Sequence, residues 1–116
     1  MKLHNVVSRV VIDPRKLTQY ALNSNNPQAV DKALMFQRYL GFTPANYQQL
    51  LQQIEMNALD AEAIAGQSDE YGQRYRVDLS IVGVSPNQQE RVRTGWIVKP
   101  GEDFARLVTL YITRRT

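Results

Sequence analysis

The sequence predicts an α+β fold, with about three N-terminal helices packed on one face of a C-terminal antiparallel sheet of three to four strands. Three observations carry that expectation. Apolar residues recur at spacings of three and four up to about residue 60, and from Ala61 onward they alternate with polar ones. The segments between the alternating stretches are too short for crossover connections, which favours antiparallel neighbours. With 116 residues, 43% of them hydrophobic and 22% charged, the chain suits one packed domain, 1–116, with a mainly helical part over 1–60 and a sheet part over 61–116.

The elements follow in order. Val6, Val7, Val10, Val11 and Ile12 read either as an added strand or as the lead into the first helix. Asp13 and Pro14 form an N-cap and first-turn pair, because the carboxylate accepts from orphan amides and proline lacks the amide that would be orphaned. A helix is expected over Pro14–Leu22 with Leu17, Tyr20 and Ala21 inward, ended by the turn-forming cluster Asn23-Ser24-Asn25-Asn26-Pro27. The next helix, about Gln28–Leu40, has Val30, Ala33, Leu34 and Gln37 on one stripe and Met35, Phe36, Tyr39 and Leu40 beside it, with Gly41 as its left-handed cap. Thr43-Pro44 repeats the capping device. Tyr47, Leu50, Leu51, Ile54 and Ala58 then mark a third helix whose Gln48, Gln49, Gln52, Gln53 and Glu55 face water.

Strands are expected over Ala61–Gln67, Gln73–Val84, Arg91–Val98 and Ala105–Thr113. Tyr75, Val77, Leu79 and Ile81 alternate with Arg74, Arg76, Asp78 and Ser80. Val92, Thr94, Trp96 and Val98 alternate with Arg91, Arg93 and Gly95, and Val108, Leu110 and Ile112 with Leu107, Thr109, Tyr111 and Thr113. Pro100-Gly101 supplies the last turn.

Composition excludes several chemistries. There is no cysteine, so disulfides, thiolate nucleophiles and cysteine-held metals are out, and the single histidine, His4, rules out a multi-histidine metal site. No Gly-rich phosphate loop, GxSxG elbow or HExxH pattern occurs, so no cofactor and no metal are expected. No apolar run approaches the roughly 20 residues of a membrane helix, and the first dozen residues do not read as a signal peptide. The reading is a soluble cytoplasmic domain without membrane partners.

The formal net charge of +3 is unevenly distributed. Met1–Ile54 has six basic and two acidic residues, Glu55–Glu70 none and five, and Tyr71–Thr116 eight and four. A polyanion is therefore drawn to the C-terminal third. If the apolar strand positions face the helices, the opposite face collects Arg74, Arg76, Asp78, Arg91, Arg93, Thr109 and Tyr111. Guanidiniums match phosphate oxygens bidentately and tyrosine offers a plane to a base, so Arg74, Arg76, Arg91 and Arg93 are candidate nucleic-acid-binding residues. The same alternation is what any solvated outer sheet face requires. Asp31 and Lys32 open the second helix, where a lysine stem can lie along the core edge and aim its ammonium across the sheet. Glu102-Asp103 and Asp60/Glu62 read as solvated turn residues.

The run Asp13-Pro14-Arg15-Lys16-Leu17-Thr18-Gln19-Tyr20-Ala21-Leu22, together with Lys32-Ala33, Leu40-Gly41-Phe42-Thr43-Pro44, Arg91-Val92-Arg93-Thr94-Gly95-Trp96-Ile97-Val98 and Arg106-Leu107-Val108-Thr109-Leu110-Tyr111, resembles a family of small bacterial domains of unknown function over nearly the whole chain. The ending, Arg-x-Arg-Thr-x-Trp followed by Leu-Val-Thr-x-Tyr, is similar over a shorter stretch to polymorphic-toxin endoribonucleases of the barnase, EndoU, colicin and RelE type. That second resemblance implies helices followed by a four-stranded sheet whose open face binds RNA. It also implies a catalytic set of Arg93, Lys32 and Thr109 or Tyr111. The chain departs from the pattern in having no histidine in the matched region, so no proton acceptor for 2′-OH attack is evident.

Three classes of function are carried forward. One is a toxin-like, metal-independent endoribonuclease with Arg93 and Arg91 on the scissile phosphate, Lys32 stabilising charge and Tyr111 or Thr109 positioning the 2′-OH. A second is a non-catalytic module whose basic face binds RNA or an acidic partner protein. The third is a structural or protein-interaction domain, with a homodimer through an edge strand or helix face as its simplest form.

Overall fold

The computed structural model describes residues 1–114. Its sheet has five strands, β1 (Arg9–Val11), β2 (Ala63–Asp69), β3 (Gly72–Val82), β4 (Gln89–Val98) and β5 (Phe104–Thr113), in the order β1-β5-β4-β3-β2. The four later strands form an antiparallel meander, whereas β1 pairs with β5 in parallel, Arg9 opposite Phe104 and Val11 opposite Arg106. Two α-helices, α1 (Val30–Leu40) and α2 (Tyr47–Asn57), sit mid-chain between β1 and β2. The class is α+β, but the sheet is mixed and five-stranded, and two helices replace the expected three.

Each difference has a physical cause, local for the helix and long-range for the strand. In the expected first helix only Lys16–Ala21 is helical, and it is a widened turn in which the Leu22 amide donates to the Leu17 carbonyl five residues back, at 2.9 Å. The widening brings Leu22 into the core beside Leu17 and Ala21 and leaves Tyr20, expected inward, 39% exposed. A leucine gains more from burial than a tyrosine whose hydroxyl wants water. The turn is stopped on schedule, since the side-chain amides of Asn23 and Asn26 both donate to the Gln19 carbonyl. At its start, Asp13 accepts from the backbone and guanidinium of Arg15, which holds its carboxyl down to about 2.

The strand β1 has only three residues and a partner on the last strand, so its pairing leaves no periodic signal. The Ser8 amide and hydroxyl both donate to the Asp103 carbonyl, 95 residues away, and Val10 and Ile12 pack on the core.

Of the expected caps, Gly41 closes α1 as read, Thr43 caps the short turn Pro44–Asn46 ahead of α2, and the turn after Asp13-Pro14 starts at Lys16 with Arg15 at its N-cap position. Gly41 takes φ 74° at the end of α1, and the Thr43 hydroxyl accepts from the Ala45 amide. Phe36 and Leu40 of α1 and Leu50 and Ile54 of α2 share one buried cluster with Val77, Leu79, Ile81, Val92, Trp96 and Leu110 from one face of the sheet. Burial of a side chain such as Phe36, which is fully covered, contributes about 1.5–3 kcal/mol. Inside that core Trp96 Nε1 donates to Thr94 Oγ1 at 2.7 Å, and the same hydroxyl donates to the Val77 carbonyl at 2.6 Å. Gln53, expected to face water, instead exchanges two hydrogen bonds with the backbone of Val82 and fastens α2 to the end of β3.

One irregularity decides which way β5 points. Between Gly95/Trp96 on β4 and Thr109/Leu107 on β5 the register shifts, so Val108 is an extra residue. From Thr109 onward the expected parity holds. Before it the parity inverts: Leu107 enters the core, Val108 does not replace it there, and Arg106 turns to the outer face.

Candidate nucleic-acid interface

The outer face of the sheet is built from ladder rows. Ser80 of β3 stands opposite Arg91, which stands opposite Thr113. Below it come Asp78, Arg93 and Tyr111, then Arg76, Gly95 and Thr109. A fourth row, Arg74, Ile97, Arg106 and Val11, extends onto β1, and beyond it Phe104 stands opposite Arg9. The register therefore collects Arg74, Arg76, Arg91 and Arg93 on one face. Arg76 and Arg91 are exposed; Arg74 and Arg93 are half-buried. Gly95 and the nearly covered Ile97 form a low floor between the cations.

These arginines are not equivalent. Arg93 is clamped by Asp78, Nε to Oδ1 at 2.9 Å and Nη2 to Oδ2 at 3.0 Å, a fork-to-fork pair whose side chains are 27% and 26% exposed. The pairing raises the Arg93 pKa, with the Tyr111 hydroxyl adding to the effect, and lowers that of Asp78 against the burial that would raise it. Arg91 Nε donates to Thr113 Oγ1 at 2.9 Å and keeps its charge uncompensated by that neutral partner. Among the described residues neither Arg74 nor Arg76 takes part in a salt bridge.

Lys32 reaches the face from the side. The C-terminal half of β5 has no strand beyond it, and α1 packs there, with Lys32, Met35 and Tyr39 at spacings of three and four on the flank nearest the strand. Lys32 Nζ donates to Thr109 Oγ1 at 3.2 Å and lies 5.3 Å from the centre of the Tyr111 ring. Lys32, Thr109, Tyr111 and Arg93 thus stand together at one corner of the face. A cleft of about 210 Å³, lined by Asp31, Lys32, Met35, Tyr111 and Ile112, opens beside them.

Chemically, this corner can hold an anion and stabilise developing negative charge. Two carboxylates lie near it, Asp31 in the adjoining cleft and Asp78 on the face, and the lowered pKa of Asp78 makes that one a weak proton acceptor near neutral pH. Among the described residues no group of three or more potential metal ligands converges. His4 lies far along the chain from these rows, in a short helical turn before β1.

Sequence reasoning missed Arg9, Phe104 and Arg106. All three belong to the same face. Arg9 lies 4.4 Å and Arg106 4.8 Å from the centre of the Phe104 ring, and Arg106 is also held by Glu102 at 2.8 Å. The adjacent apolar pair Leu107-Val108 was the available sign of the bulge that turns Arg106 outward. For Arg9 no local sign exists.

Among the described residues no helix is long and apolar enough to cross a membrane. A family model described as Domain of unknown function (DUF6883) matches residues 2–114. No curated protein and no solved structure matches the chain.

Proposed function

The chain belongs to that family, whose description assigns no activity, and on the geometry of the sheet we propose that it is an RNA-binding module acting in the cytoplasm through its outer face. The observation that carries the reading is the ladder register, which groups Arg74, Arg76, Arg91 and Arg93 on one helix-free face around a low floor of Gly95 and Ile97. Cations so arranged draw a phosphate backbone. Arg74, Arg76 and Arg91 carry most of the attraction, because Asp78 compensates Arg93.

Fluorescence anisotropy with a labelled single-stranded RNA over a series of salt concentrations tests this. Affinity should fall steeply as salt rises, by about 0.7 in log–log slope for each phosphate neutralised, and replacing Arg74 and Arg76 together by alanine should reduce the slope by more than one. Salt-independent binding, or none at low salt, refutes the reading; tight binding of an acidic protein instead would assign the face to a protein partner.

A second reading is favoured by one specific observation, the convergence of Lys32, Thr109, Tyr111 and Arg93. It is a toxin-like endoribonuclease in which Lys32 and Arg93 stabilise the cyclising phosphate. Cleavage of single-stranded RNA in EDTA that disappears in Lys32→Ala would establish it. Intact RNA at high protein concentration leaves the binding module.

A further inference from the structure

The far corner of the outer face, where β1 meets β5, holds a second built cluster. Arg9 is exposed, and its guanidinium carbon lies over the Phe104 ring, 4.4 Å from the ring centre. Arg106 lies 4.8 Å from the same ring, fixed by two hydrogen bonds to the Glu102 carboxylate. The two cations therefore differ in purpose. Glu102 forms a salt bridge with Arg106 and orients it, whereas Arg9 feels the same carboxylate only at longer range and, among the described residues, has no salt-bridge partner, so its donors are open to a ligand.

We infer that Arg9, Phe104 and Arg106 form a nucleotide subsite at which a base stacks on the Arg9–Phe104 pair and the adjoining phosphate takes the Arg9 donors, so that the RNA bound by this face is single-stranded. The inference rests on the RNA-binding reading above and specifies its substrate class. Stacking requires an exposed base face, which a paired duplex withholds. A guanidinium already resting on an aromatic ring loses less freedom on binding phosphate than a free surface arginine. Phe104 and Tyr111 both point outward from β5, seven residues apart with one of them, Val108, taken up by the bulge, which places the two corners about 20 Å from each other at roughly 3.3 Å per residue. Between them run Arg106, Ile97, Gly95 and Thr109, flanked by Arg74 and Arg76. A single strand long enough to span the path engages both ends, and a short one engages only one.

The test uses the full chain with a labelled 12-nucleotide single-stranded RNA, a trinucleotide of the same composition and a 12-base-pair RNA duplex, read by anisotropy. Phe104→Leu should weaken the 12-mer about tenfold with its salt slope unchanged, since a stack and no charge is lost. Arg9→Gln, at an exposed position where folding is not at stake, should weaken it several-fold and lower the slope by about one. Neither variant should change duplex binding. If the wild-type chain binds no RNA at low salt, the reading of the whole face fails. If it binds RNA and both variants bind the 12-mer as the wild type does, or lose duplex and single strand alike, the subsite is refuted and the RNA-binding reading stands.

Discussion

Asp78 sits among arginines and does two things at once. It compensates Arg93, which limits the attraction of the outer face for phosphate, and it stabilises the fold, because its carboxyl has a lower pKa in the folded chain than in the unfolded one. The stabilisation is complete above the ordinary carboxylate range and is lost as pH falls from about 5 through the lower folded value, where the folded state must take up the proton. Asp78→Asn should therefore flatten the acid side of a thermal-melting profile measured from pH 7 to pH 3. In the binding assay it should also tighten RNA binding and steepen its salt dependence by about one phosphate contact. Thr94 gives a different expectation. Its hydroxyl is the acceptor for buried Trp96 Nε1, so the Thr-x-Trp part of the strand motif is structural, while the arginines flanking it face outward. Thr94→Val keeps the shape but strands the indole N–H and should cost about 1–3 kcal/mol in urea unfolding, with RNA affinity unchanged.

At the scale of elements, helix and strand identity were legible wherever one face is buried over several residues. The wide apolar arc marks α1, although its buried stripe is Ala33, Phe36 and Leu40 and the expected stripe members Leu34 and Gln37 are exposed; Leu50 and Ile54 mark α2, and the alternation of Val77, Leu79 and Ile81 against Arg76, Asp78 and Ser80 gives both β3 and the side its arginines occupy. The bulge in β5 was harder, because strict alternation from Ala105 assigns Val108 to the core and hides Arg106. The strand β1 was not legible, since three residues pairing with a strand about 95 positions away have no local period to show. Lys32, Thr109, Tyr111 and Arg93 were proposed together from resemblance, and their proximity follows from α1 packing along the unpaired half of β5. The Gln53 amide shows how a polar residue on a helix can be mistaken for a solvated one. It pairs with both backbone groups of Val82, so Gln53→Ala should cost about 1 kcal/mol and loosen the end of β3, seen as faster amide exchange at Val82.

Across the whole molecule, stability is graded from the centre of the sheet outward. The strands β3, β4 and β5 share long ladders over the core, whereas of β2 only Ala63 is buried and Ile64 and Tyr71 stand 53% and 65% exposed at its end of the sheet. Hydrogen exchange should therefore be slowest at Val77, Leu79 and Val92 and fastest over the outer half of β2, and uniform protection across all five strands would contradict this gradient. The parallel pairing of β1 with β5 has its consequence in time. Residues 9–11 leave the ribosome long before residues 104–106 are made, an interval of roughly 5–20 s at ordinary rates of synthesis. Through that interval the Arg9–Phe104 corner does not exist, so the subsite proposed there can form only after the last strand has been made.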